Sequence, residues 1–533
     1  MKKTFPRWMI ALFFAAFLLL GIFTADDYGS PWDEQDEMDI LRMNLWGYTR
    51  AFGMDEASFE RRAQQFDEQL TISALTPVSE SIEQDHGISA FYPMAGVVMS
   101  ETITEAQRSA IWHMWCWVIF TLGAFALYCV LRQLDASRPV ALLGPLFLLL
   151  SPQFFAHGHF NNKDIALFSF VLCTLWQALR LMKKPCFANG LLFACVGAFA
   201  ANTKLAGVAV WGLCALFVLL CQFVLKKMTP RVWAVAGVTL VSFFGFYALL
   251  TPALWADPMG FAEYLVRNAM AFQRWQNYLL FRGTVFELWR EKLPIYYLPY
   301  MILATTPIWL TLLIALGTVL ALVHVLRRGE KQLPLLMTVC LFALPLGFAV
   351  FTRTHVYNGW RHFYFVYGPM LVLAVWGVSN AVKRKKRWMC RFGAAVLTVC
   401  MAVSCAGVIS QHPYQQAYYQ TVVQLRGTDF NELDYWNVSA RDALETLAQH
   451  VQGEITIQPA DIWAQDALAK SLFVLDEAIQ QRFTVTENAQ YVLANPTYVS
   501  FSGFEPEDME EAVCITSYSQ PIMRIYERVP KGE

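Results

Sequence analysis

Charge is what this sequence has least of. Of its 533 residues, 16% are Asp, Glu, Lys or Arg, where soluble domains carry roughly 25%. The net charge of -1 provides no basic field, so nucleic-acid binding has no electrostatic support. Usable cysteine pairs are also lacking. Of 12 cysteines, Cys116, Cys129, Cys173, Cys186, Cys195, Cys214, Cys221, Cys340, Cys390, Cys400 and Cys405 lie in or beside apolar runs. Cys514 alone falls in a soluble segment and no CxxC occurs, which excludes a disulfide framework. The C-terminal tail has no nucleotide-binding loop and no metal-ligand spacing. No internal repeat is visible, which weakens an inverted-repeat transporter.

Long apolar runs are what the chain does have: 56% of it is hydrophobic and 15% aromatic, with mean hydropathy +0.37. A spanning helix needs roughly 20 such residues. Eleven runs qualify, at 8–24, 109–131, 139–158, 164–182, 186–203, 205–225, 232–252, 298–326, 333–351, 363–382 and 392–410. The first follows Lys2, Lys3 and Arg7 like a signal peptide. However, Thr24-Ala25-Asp26-Asp27 is a poor cleavage site, so it reads as an uncleaved anchor.

With the N-terminus cytoplasmic, 20 of the 41 basic residues fall in short inner loops, and only Asp135 and Glu330 of the 42 acids join them. That fixes the expected organisation. A first transmembrane helix (1–24) leads to an extracytoplasmic loop (25–108), a transmembrane body (109–410) with an outer loop at 253–297, and an extracytoplasmic C-terminal α/β domain (411–533). The expected fold class is a polytopic α-helical membrane protein. In its tail, a helix at Ser439 to Val451 and strands at 454–458, 490–494 and 523–527 follow from periodicity.

Polar groups at the ends of spans are functional candidates because lipid disfavours them, and here they gather at the outer ends. Ser30-Pro31-Trp32-Asp33 reads as a helix start, with Ser30 as N-cap and Asp33 closing a capping box. Glu34 is not needed for that cap, and Asp33, Asp36 and Glu37 share one helical face, where three carboxylates call for a cation. Between the third and fourth spans lie His157, His159, Asn161, Asn162, Lys163 and Asp164. Asn161 or Asn162 can cap the next helix, with Asp164 complementing its dipole, and neither role excludes function. Lys204 either snorkels to the interface or serves a site. Arg361 and His362 run against the positive-inside bias and call for an anionic partner; a phosphate suits the arginine fork. Tyr357 and Trp360 beside them fit either a site or an aromatic belt.

The ordered set Trp32-Asp33-Glu34, Phe154-Phe155-Ala156-His157, Asn161-Asn162-Lys163-Asp164, Asn202-Thr203-Lys204, Tyr357 to Phe365, His412-Pro413-Tyr414 and Phe430 to Trp436 resembles the GT-C class of polytopic glycosyltransferases. The nearest members are the protein O-mannosyltransferase-like (GT39) and aminoarabinose-transferase-like families. The resemblance covers about 30 to 440. It implies a hexosyltransferase-type enzyme that takes a sugar from a polyprenyl-phosphate donor. The sugar would pass with inversion to an acceptor hydroxyl on a protein or cell-envelope molecule at the extracytoplasmic face of a bacterial plasma membrane.

On that resemblance Asp33 and Glu34 are catalytic, with Asp33 the base, and Lys163, Lys204, Arg361 and His362 bind the donor phosphate. Asp36, Glu37, His157, Asn161, Asp164, Tyr357 and Trp360 support them. The resemblance fixes no cofactor. Some relatives use a divalent cation, for which Glu34, Glu37 and Asp164 are the candidate ligands. The chain departs from the eukaryotic members in lacking room for a β-trefoil in its 45-residue loop, and the tail after 440 is unassigned. A transporter or lipid flippase is the competing class, but it requires charge within the spans, which are nearly free of it. The loop at 253–297, carrying Trp255, Asp257, Arg267, Arg274, Trp275, Arg282 and Glu287, reads as an interfacial segment that closes over substrate.

Overall fold

The computed structural model describes residues 5–53, 55, 57, 61, 75–270, 277–356, 358–384 and 386–529. Among these, nine helices are long and apolar enough to cross a membrane, from Arg7–Asp27 to Arg387–Ser410. They correspond to nine of the eleven expected spans. The other two differ in form. Phe187–Thr203 is apolar but has only 17 residues. The run at 139–158 divides into Arg138–Leu149 and Pro152–Phe160, bent by 75°.

Proline causes that bend. It has no N–H to donate and pushes the preceding residue out of the helical region; Ser151 before Pro152 sits at φ -96°, ψ 101°. The same rule corrects the expected span at 298–326. Thr306 before Pro307 is extended (ψ 133°), so Tyr297–Thr305 is a separate helix and the spanning helix is Ile308–Arg328.

Helix Asn162–Lys183 forms the centre of the bundle and is buried along most of its length. Gly123 of helix Glu105–Gln133 lets the two backbones touch, since a Cβ there would lie 2.9 Å from the Ser169 Cα. At the periphery, Arg387–Ser410 leaves Trp388, Phe392, Val399 and Val403 more than 60% exposed. Lipid, not water, is the solvent that tolerates such a face. The chain is thus a multi-pass membrane protein.

One end of the bundle carries the polar structure. Helix Glu34–Ala51 lies there, and a small α/β domain covers it. Its five strands run in the order Phe483–Val485, Ile455–Pro459, Tyr491–Ala494, Gln520–Arg528, Met509–Ser517. The first three are parallel and the last two antiparallel to their neighbours. Helices Ala440–His450 and Ile462–Phe473 pack on the sheet through Leu444, Leu447 and Leu468, against Ile457 and Ile525. The expected helix and three strands are present. The two unanticipated strands have weak signals: Phe483–Val485 has three residues, and Met509–Ser517 loses its alternation at a register shift between Glu511 and Val513.

The segment at 253–297 contains the helix Pro258–Met270 and a hairpin of Tyr278–Phe281 with Thr284–Glu287. Its described parts are tied down. Tyr264 donates to the Ile82 carbonyl at 2.5 Å, and Gly283 N donates to the Phe430 carbonyl at 2.9 Å. Arg274 and Trp275 lie outside the described residues.

Candidate active site at the polar end of the bundle

The helix after the first span starts later than the sequence suggests. Asp33, not Ser30, is the residue before its first turn, and the Asp33 carboxylate makes no capping hydrogen bond. Its backbone is already helical (φ -86°, ψ -8°), whereas a capping side chain needs an extended backbone to reach forward. The carboxylate of Asp33 is therefore not used by its own helix. It is half-buried, and it feels the charges of Arg361, Lys470, Glu37 and His86. Burial raises its pKa above the usual carboxylate value, and Arg361 and Lys470 oppose that rise.

Glu34 points elsewhere. Its buried carboxylate is hydrogen-bonded by Ser109 Oγ at 2.6 Å and His113 Nε2 at 2.6 Å, so it clasps helix Glu105–Gln133 and does not stand beside Asp33. Glu37 is also held, receiving His86 Nε2 at 2.7 Å and Asn162 Nδ2 at 3.2 Å. Burial favours its neutral form, but His86 and these hydrogen bonds outweigh it and bring the pKa down to about 2. Asp36 is paired with Lys470 at 3.1 Å. Burial pushes Asp36 up to about 7 despite that partner.

The cations form a second group. Asn161 caps helix Asn162–Lys183 by accepting from Asp164 N at 3.1 Å, and its Nδ2 donates to Asp164 Oδ2 at 3.1 Å and to His157 Nδ1 at 3.2 Å. Capping and site-building thus coincide. Asp164 accepts from Lys204 Nζ and lies 3.7 Å from Arg361 Nη1. His362 shares this field. The guanidinium of Arg361 stacks 4.4 Å from the Trp436 ring centre and 5.2 Å from that of Tyr435. Lys163 is the exception among the expected phosphate ligands, because its charge faces Glu37 rather than Asp164. Trp360 is a packing residue that donates to Thr305 Oγ1 at 2.8 Å. Tyr357 lies outside the described residues.

Beside Arg361 is a small pocket lined by Gln153, His157, Asn358, Tyr364, Gln416, Glu432, Tyr435 and Trp436. Gln416 Oε1 and Trp436 Nε1 are buried without hydrogen-bond partners. Glu432 is pushed up to about 7 by burial, against a 3.3 Å hydrogen bond from Asn358. Aromatic faces and uncommitted polar atoms together suit a ring with several hydroxyls.

Glu34, Glu37 and Asp164, the expected metal ligands, do not converge; each is committed to a different partner group. Among the described residues no three His, Cys, Asp or Glu side chains are arranged to hold a metal ion. Sequence reasoning missed His86, His113 and Lys470. It quoted the stretch Phe430 to Trp436 without giving those residues a role.

Against known proteins, residues 93–251 match the model of the dolichyl-phosphate-mannose-protein mannosyltransferase family. This is the family whose resemblance the motifs carry, and the matched stretch contains His157, Asn161, Lys163, Asp164 and Lys204. No curated protein matches. Among solved structures, ArnT from Cupriavidus metallidurans is similar in its apo state at 14% identity and TM-score 0.48, covering 97% of both chains. The same protein bound to undecaprenyl phosphate gives 14% identity and TM-score 0.47, covering 99% of both. The arabinofuranosyltransferase AftD from Mycobacteria gives 13% and 0.45, with all of this chain covering 40% of that one.

Proposed function

We propose that this protein is an integral membrane glycosyltransferase. It moves a sugar from a polyprenyl-phosphate donor to an acceptor hydroxyl, with inversion, on the extracytoplasmic side. One observation carries this reading: a carboxylate released from capping duty, Asp33, lies in the field of Arg361, which shares Asp164 with Lys204 at one end of the bundle. A flippase would be expected to line a path across the membrane with such groups.

In the reaction the acceptor oxygen bonds to the anomeric carbon as the bond from that carbon to the phosphate oxygen breaks. Asp33 takes the hydroxyl proton. The bonding pair leaves with the phosphate, whose charge Arg361, Lys204 and His362 stabilise. The ammonium and guanidinium now held by Asp164 are positioned to receive that phosphate, and the pocket walled by Trp436 and Tyr364 receives the sugar. Phosphate is a good leaving group without protonation, so a single carboxylate suffices. The bias of basic residues supports a cytoplasmic N-terminus and an extracytoplasmic C-terminal domain in a bacterial plasma membrane. Whether the sugar is a hexose is settled by the test.

The test is transfer in membranes from a panel of radiolabelled polyprenyl-phosphate sugars, hexoses and pentoses, by the wild type and Asp33→Asn. The expected result is transfer from one donor class and a loss of about 10²- to 10⁴-fold in the variant. Undiminished transfer by Asp33→Asn removes the base assignment, and no transfer from any donor removes the function.

A further inference from the structure

The acidic turn is held from an unexpected direction. Helix Ile462–Phe473 of the small C-terminal domain sends Lys470 into it, and that lysine is only 7% exposed. Its Nζ donates to the backbone carbonyl of Trp32 and, at 3.1 Å, to Asp36 Oδ2. Trp32 is the residue directly before Asp33. The turn's own backbone bonds run from Glu34 N to the Pro31 carbonyl at 3.0 Å and from Glu37 N to the Asp33 carbonyl at 2.9 Å.

A long ammonium side chain loses rotamer freedom and hydration when it is buried like this. Domain docking has no need of it, because aromatic packing already supplies the joint. Trp32 meets Tyr435 edge-on at 4.6 Å, and Tyr498 stacks on Trp463 at 5.5 Å. The lysine's two bonds instead fall on either side of Asp33, one on the peptide before it and one on the carboxylate a turn later.

We propose that Lys470 is a positioning residue for Asp33: by pinning the Trp32 carbonyl and Asp36, it fixes the direction of the uncapped carboxylate. The C-terminal domain is then part of the catalytic apparatus and not an appendage. The charges that act most strongly on Asp33 come from several elements. Arg361 comes from the start of a span and His86 from the first loop. Glu37 lies on the helix that Asp33 begins, and Lys470 comes from the small domain. Released from Lys470, the turn regains the extended backbone that would let Asp33 cap its own helix, which takes the carboxylate out of reach of the acceptor.

The inference rests on the proposed transfer reaction, and its test separates the two. Lys470→Met and Lys470→Arg are compared with wild type for transfer from the donor panel, and for hydrogen exchange at the amides of 33–37 in the full-length protein. In Lys470→Met, kcat is expected to fall about 10- to 100-fold, the scale of a misplaced reacting group, with the donor KM nearly unchanged. Exchange at 33–37 should quicken, and Lys470→Arg should restore most of both. In the double variant with Asp33→Asn, the lysine change should add nothing further. A loss that appears in KM alone, or one that arginine does not rescue, overturns the proposal, as does unchanged exchange at 33–37. Should wild type use no donor, the functional reading fails and exchange alone decides the positioning role.

Discussion

At the residue scale, two charges separate sharply by what holds them. The Asp33 carboxylate makes no capping bond to its own helix, while Arg361 is gripped from several sides. Its guanidinium lies against Trp436, donates to Tyr435 Oη at 3.4 Å and sits 3.7 Å from Asp164. Arginine is suited to such a place because its planar fork stacks on aromatics and still presents N–H groups to an oxyanion. Replacing Arg361 with Ala is expected to weaken donor use more than acceptor use. A loss of about 2–4 kcal/mol in transition-state stabilisation is the scale for one oxyanion donor. Competition by undecaprenyl phosphate in the transfer assay checks this. If the inhibition constant of the phosphate is the same in Arg361→Ala as in wild type, the residue's role is in packing.

How much of this could be read in the residues depends on distance along the chain. Asp33, Asp164, Lys204 and Arg361 stand out because charge at a span end is unusual, and that signal is local. Nothing local marks Lys470, a lysine in a mixed helix like many others, whose partner lies 434 residues earlier. Glu34 misled for a related reason. Sequence places it beside Asp33, but one residue along a helix is a turn of about 100°, which swings it away to His113.

At the element scale, the helix Glu34–Ala51 is fixed on three sides by its own acids: Glu34 to the span Glu105–Gln133, Asp36 to the small domain, Glu37 to the first loop through His86. The last bond has a definite pH signature. Burial disfavours the His86 cation, but the Glu37 charge prevails and its pKa is raised above 6.5. Glu37 is held near 2, against an ordinary 4.5. The carboxylate contributes stability above pH 4.5 that is lost as pH falls toward 2. The imidazolium contributes stability below 6.5 that is lost as pH rises through its raised value. The bond therefore stabilises most between those two ordinary values. His86→Gln should lower Tm most near pH 5.5, and progressively less as pH rises through the raised His86 value. A constant Tm difference from pH 5 to 9, measured on the solubilised protein, would show that His86 is neutral in this contact. The nearby backbone has no room to adjust, since a Cβ on Gly87 would overlap the Asn202 carbonyl.

The architecture was legible where one solvent dominates. Eleven apolar runs are visible because lipid imposes a length and a composition. The breaks at Pro152 and Pro307 were missed because hydropathy averages across them, although proline itself gives the reason. The small domain's fold was only partly visible. Its parallel strands pair across an intervening helix, so register and order depend on contacts that no local pattern records.

At the scale of the whole molecule, the membrane bundle, the first loop, the hairpin of 278–287 and the C-terminal domain meet around one acidic turn, and Trp463 is where three of them join. Its ring stacks on Tyr498 and meets Tyr278 at 6.0 Å, and its Nε1 donates to Asn277 Oδ1 at 3.1 Å. Tyr498 in turn stacks on Trp32 at 6.1 Å. Removing the indole leaves a cavity in this joint at a cost of about 3–5 kcal/mol, borne by docking and not by the separate core of Leu444, Ile457 and Ile525. Trp463→Ala should therefore leave the C-terminal domain folded but loosely seated. Limited proteolysis is expected to cut faster between 425 and 440, and the released fragment should itself resist further cleavage. Transfer should fall while undecaprenyl phosphate still competes as in wild type, because Arg361, Lys204 and Asp164 belong to the bundle. If the variant is instead cut throughout 440–529, the indole supports the domain's own fold. If phosphate competition is lost as well, the donor site depends on the docked domain more than its side chains indicate.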